Sequence, residues 1–90
     1  MDTPFESEIE AMIAESEPKA ASGDPQSLYD VAMLHHDLAM RRLSWEHFAN
    51  AESRLRTAAN LGLPAAIKML EDWETLRYAL KRRIARDTAA

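Results

Sequence analysis

Gly23-Asp24-Pro25-Gln26-Ser27-Leu28 and, 39 residues later, Gly62-Leu63-Pro64-Ala65-Ala66-Ile67 punctuate this 90-residue chain in the same way. In each, a glycine supplies the adaptable residue that closes one helix. A proline follows at the first turn of the next, where its missing N–H is tolerated. Asp24 stands ready as a capping carboxylate in the first of them. Between the two glycines the apolar residues recur at three and four. Leu28, Val31, Ala32, His35, Leu38 and Ala39 fall on one side of a helix over 25–41, and Arg41 and Arg42 suit its negative pole. Ser44 caps the next helix over 45–61, with Leu43 and Phe48 in the two positions of a hydrophobic staple. Phe48, Ala51, Leu55, Ala58 and Ala59 give it a narrow stripe of small residues that admits a close neighbour.

The flanks follow the same logic. Thr3-Pro4-Phe5-Glu6 reads as a capping box opening a helix over 4–16, with Phe5, Ile9, Met12 and Ile13 as its apolar stripe. An interior proline costs about 3 kcal/mol, so Pro18 predicts a break or kink near Glu15–Glu17 and a last turn to Ser22. After Gly62, a fourth helix over 64–86 has no internal breaker, and Ala66, Met69, Leu70, Trp73, Leu76, Leu80 and Ile84 recur along it. Thr88-Ala89-Ala90 reads as a frayed end. The connections are short, which places successive helices antiparallel. The chain is therefore expected to be one all-α domain spanning 1–90.

Composition agrees. Hydrophobic residues make up 47%, which is globular, and two glycines with few β-branched residues favour helix over strand. The absence of cysteine excludes disulfides, thiolate metal sites and a thiol nucleophile. No apolar run reaches the ~18–20 residues of a membrane span, and the acidic start does not read as a secretory leader. A cytoplasmic, bacterial-type setting is the expectation. The net charge of −4 is unevenly placed. Residues 1–24 carry seven acids against Lys19, residues 25–62 balance, and residues 63–90 carry six bases against four acids.

The stretch 23–62 also resembles the Sel-one-like repeat, a relative of the tetratricopeptide repeat. Gly23, Ser27, Tyr29, Val31, Ala32, Leu34 and His35 take the positions of that repeat's first helix, and Phe48, Ala51, Leu55, Ala58, Ala59 and Gly62 those of its second. Lys19–Gly23 resembles the tail of a preceding repeat, and Pro64–Trp73 the first helix of a following one. The family's glycine-containing loop between helices is replaced by Met40-Arg41-Arg42-Leu43. The resemblance implies one full helix pair between two half-repeats, a fragment of a right-handed α–α solenoid; a plain four-helix bundle is the alternative. One repeat cannot bury its own faces, so the outer helices act as caps, or a second protein covers them. That makes the chain a natural protein-binding module.

Catalytic and metal chemistry find little support. His35 and His36 are adjacent and point about 100° apart on a helix, so they do not chelate one ion, and His35 at a family tyrosine position reads as a bonded core residue. Neither Ser44 nor Ser53 lies in a nucleophile elbow, and no glycine loop can cradle a phosphate. Neither a metal nor a cofactor is expected, and the chain reads as non-enzymatic. The residues singled out for partner binding are Glu8, Asp30, Met33, Asp37, Met40 and Tyr78. On the 25–41 helix, Asp30, Met33, Asp37 and Met40 lie opposite the buried set, and methionines bracketed by acids make an adaptable contact surface. Tyr78 points off the apolar stripe of its helix. In its most specific form the expectation is a bacterial immunity protein that occludes a basic-surfaced toxin or enzyme, its negative charge speeding association. Two alternatives belong to other classes. One is a homodimer paired through Trp73-Leu76-Leu80-Ile84. The other is an RNA-binding accessory protein using Lys81, Arg82, Arg83 and Arg86, against which the acidic chain argues.

Overall fold

The computed structural model describes residues 4–89. It is all-helical among these residues: α1 (Pro4–Ala21), α2 (Pro25–Arg42), α3 (Trp45–Asn60), α4 (Pro64–Glu71) and α5 (Trp73–Ala89). Thr3, the expected cap of α1, and Ala90 lie outside the described residues.

The two glycine turns are geometric copies. Gly23 has φ +93° and Gly62 φ +91°, both left-handed. Gly23 N–H donates to Ala20 O at 3.0 Å and Asp24 N–H to Lys19 O at 3.2 Å. At the second turn Gly62 N–H donates to Ala59 O at 2.9 Å and Leu63 N–H to Ala58 O at 3.1 Å. A Cβ at either glycine would meet open space, so the backbone angle alone selects glycine there. Asp24 then caps α2, its carboxylate accepting from Ser27 N–H at 2.9 Å and Ser27 Oγ at 2.6 Å. Ser44 caps α3 by accepting from His47 N–H at 3.2 Å. Between α2 and α3, where the repeat family has glycine, Leu43 itself takes a left-handed conformation at φ 53°. Its side chain packs half-buried against the core, which holds it in a conformation unfavourable to a branched residue.

Successive helices run antiparallel. The start of α1 meets the end of α2 through Arg42, which donates to Glu6 at 2.9 Å and Glu10 at 2.8 Å. Glu6, expected to serve a capping box, is buried against that arginine. Late α2 meets early α3 at His35 and His47. The closest packing, between α2 and α3, uses small or branched residues at Val31, Ala32, Ala39, Ala51, Leu55 and Ala58, all fully buried. Neither α4 nor α5 packs substantially on α1, as a closed four-helix bundle would require. The result is a slab of 41 × 29 × 15 Å whose seams open on its faces.

Three expectations need correction. Pro18 does not break α1: the helix is continuous from Pro4 to Ala21, through the proline and the last turn expected beyond it. Proline removes a single backbone bond, and Ala20, 4% exposed, is packed in the core beyond it. The α1 stripe is rotated: Ile9 is buried and Ile13 half-buried, but Phe5 and Met12 are about half exposed at 49% and 51%. The fourth helix is two helices, α4 and α5, broken at Asp72 (φ −99°, ψ 2°), and α5 runs on to Ala89. The break lets α5 turn across the slab so that Trp73 reaches α3, where its ring stacks on Phe48 with centroids 4.6 Å apart and planes at 22°. His36 and Trp45 complete this aromatic cluster.

Candidate functional site

The outer face of α2 is the centre of the candidate site, and the structure divides it in two. Part of that face borders α1. There Met12, Ser16, Asp30, Met33, Leu34 and Asp37 line a groove of about 460 Å³. Asp30 is exposed and accepts from Gln26 Nε2 at 3.0 Å, while Asp37 pairs with Arg41 at 2.9 Å. Arg41 also lies 4.3 Å above the Phe5 ring. Phe5, Glu8 and Met12 follow one another at three and four along α1 and so share a side; Glu8, exposed, flanks the groove without lining it. An apolar seam with a carboxylate rim results.

Near its end, at Met40, α2 also borders α5. Met40 and Tyr78 share a groove of about 510 Å³ with Arg82, Arg83 and Arg86. Of the six residues expected to bind a partner, Asp30, Met33 and Asp37 are thus brought together. Met40 and Tyr78 are placed in a basic environment, and Glu8 stands at the edge of the acidic one. Met33 and Met40 are half-buried, resting on the core, where the sequence pattern had placed them outside. Sequence reasoning assigned Phe5 and Met12 to the core. Their exposure is legible only once Ile9, Ile13 and Ala20 define the buried side of α1.

Buried polar groups hold the helices that frame these grooves. His35 Nδ1 lies 3.1 Å from His47 Nδ1, with ring centroids 5.3 Å apart. Most of the separation therefore lies along the line through the two nitrogens. That is the arrangement of a direct N–H···N bond, one ring donating and the other accepting, and it joins α2 to α3. Burial, reinforced by Arg54 and the neighbouring His47 against Glu17, holds His35 below the usual imidazole value; burial also lowers His36, against Asp37. Both favour the neutral ring. On the far side Glu52 accepts from Arg56 and from Arg77, each at 2.8 Å. Burial alone would raise the Glu52 pKa, but the bonds from these two arginines outweigh it and keep the carboxylate ionised. Glu17 takes Arg54 in a two-pronged pair at 2.9 and 2.8 Å, tying α1 to α3.

No cluster of three or more metal-ligating side chains occurs among the described residues. None of the described helices is long and apolar enough to cross a membrane. The seam Trp73-Leu76-Leu80-Ile84, considered for self-pairing, is turned inward: Trp73 and Leu80 are 2% and 0% exposed, and Leu76 and Ile84 pack on the same core. Comparison of the chain with protein-family models, curated proteins and solved structures found no match in any of the three.

Proposed function

We propose that this chain is a non-enzymatic protein-interaction module whose α1–α2 seam binds a basic protein surface. The observation that carries the reading is the seam itself, where half-exposed Met12 shares a groove with Met33, Asp30 and Asp37, while exposed Phe5 under Arg41 and exposed Glu8 lie on the same side of α1. Aromatic and methionine side chains are adaptable anchors, and a surrounding ring of charge accelerates and orients encounter. Asp24 and Glu52 have pKa values displaced downward by hydrogen bonds. Such groups serve charge pairing better than proton donation. The resemblance to a helical repeat is in keeping with this role.

In its specific form the module is an immunity protein of the bacterial cytoplasm, covering the active site of a cognate toxin. The test is capture of a partner on the tagged chain, followed by measurement of its affinity and salt dependence. A one-to-one complex is expected. Reversing Asp30 and Asp37 to lysine should slow association and weaken binding by about tenfold, which corresponds to about 1.4 kcal/mol. Unchanged affinity after reversal of Glu8, Asp30 and Asp37 would remove the electrostatic reading.

A further inference from the structure

The arginines of this protein fall into two groups. Arg41, Arg42, Arg54, Arg56 and Arg77 each meet a carboxylate within 2.9 Å. Arg82, Arg83 and Arg86 form no ion pair among the described residues, and neither does Lys81 on the same helix. Helix polarity explains some positive charge at the end of α5. It does not explain why three guanidiniums line one groove with half-buried Met40 and Tyr78, the latter 59% exposed. Arg82 lies 5.9 Å from the Tyr78 ring centroid, so the aromatic surface and the charge are adjacent. Arg83 and Arg86 also border a neighbouring hollow of about 480 Å³ with Leu43 and Asp87, where the basic surface ends.

We propose that the α2–α5 groove docks a short carboxylate-rich segment of another protein, anchored by an aromatic side chain against Tyr78 and Met40. This site is separate from the acidic α1–α2 seam and takes a partner of opposite charge. Charge complementarity selects the acid. The mixed apolar floor selects a peptide over a polyphosphate, because a phosphodiester chain offers no side chain to bury there. A nucleic acid extending beyond the groove also meets carboxylates, Asp87 in the adjoining hollow and Asp37 one turn before Met40 on α2. A short acidic segment ends before reaching them. Nucleic-acid domains carry a longer continuous basic face, whereas this chain has net charge −4.

The probe is a fluorescein-labelled peptide of glutamates around one central tryptophan, titrated with the full chain and followed by anisotropy. Saturable binding that weakens with salt is expected. The paired change Arg83→Glu with Arg86→Glu should weaken it by at least about tenfold. Arg83→Gln with Arg86→Gln should weaken it less, and Tyr78→Ala should remove the advantage of the tryptophan peptide over an all-glutamate one. Asp30→Lys, on the other seam, should leave it unchanged, so this site and the acidic one fail independently. Far-UV circular dichroism confirms that each variant folds, the four changed side chains being exposed. Absence of saturable binding, or equal binding by the Arg83/Arg86 variants, overturns the proposal. Tighter binding of oligouridine than of the peptide at the same salt overturns it in favour of nucleic acid.

Discussion

Replacing Trp73 with alanine tests how the slab is held together. The indole is 2% exposed, stacked at 4.6 Å on Phe48 and 5.7 Å from His36 between ring centroids. Truncating a buried tryptophan costs ~3–5 kcal/mol, of which the ring pair contributes ~0.5–1.5 kcal/mol beyond area alone. A domain of this size holds roughly 5–13 kcal/mol in total, so the loss is a large fraction of it. The damage should be local, however. The remaining ties of α5 to the slab include Leu80, half-buried Leu76 and Ile84, and Arg77, which bonds Glu52 and lies over the Phe48 ring, while α1, α2 and α3 keep their own packing. Trp73→Ala is therefore expected to undock α5 first. Urea titration should show a early loss of helical circular dichroism, and hydrogen exchange should become fast in α5 while α2 and α3 stay protected. Tyr78→Ala, on the exposed side of α5, should shift stability by less than ~0.5 kcal/mol. A single transition within ~1 kcal/mol of the unaltered chain would refute the reasoning, as would simultaneous loss of protection in all helices.

Stability should fall with acid in a defined sense. His35 and His36 lie below their ordinary value of 6.5 when folded, so below about that pH the unfolded chain takes up protons that the folded one refuses. The contribution is complete above the ordinary value and shrinks as pH falls toward the folded ones; a urea midpoint that does not decline over that window would contradict it, and His35→Gln with His36→Gln should flatten the decline. Glu52, lowered in the fold, adds a further loss in the carboxylate range. Gly62→Ala should destabilise by ~1–2 kcal/mol through its left-handed backbone alone, since nothing crowds the site; a neutral effect in thermal denaturation would show the turn to be adaptable. Ser44→Ala should cost ~1 kcal/mol by leaving His47 N–H without its cap, again read by chemical denaturation.

Most of the helical frame was legible because its ends are marked by side chains that act locally. Asp24, Pro25 and Gly23 fix one boundary, Ser44 another and Gly62 with Pro64 a third, each through hydrogen bonds or backbone angles set within a few residues. The break at Asp72 carries no glycine or proline. Aspartate favours helix ends over interiors, but the decisive influence is the docking of Trp73 on Phe48, 25 residues earlier in the chain. Pro18 misled in the opposite direction, since tertiary packing of Ala20 carries α1 through it. The same distinction governs the candidate surfaces. Spacing at three and four along α2 placed Asp30, Met33, Asp37 and Met40 opposite the buried set; in the structure the two methionines rest on the core and the four residues fall into two grooves. Which neighbour each part of that side meets depends on where α1 and α5 lie, and this is why one expected surface became an acidic seam and a basic groove. Likewise nothing local in the sequence pairs His47 with His35; the two meet only across the α2–α3 contact.

The α1–α2 seam is proposed to recognise a basic protein. The most direct measurement is the affinity of the partner captured on the intact chain, determined for that chain and for the variant carrying Glu8→Lys, Asp30→Lys and Asp37→Lys. A one-to-one complex that weakens with salt and loses at least about tenfold in affinity in the variant is expected. A partner that binds both proteins equally, with the same response to salt, would contradict it.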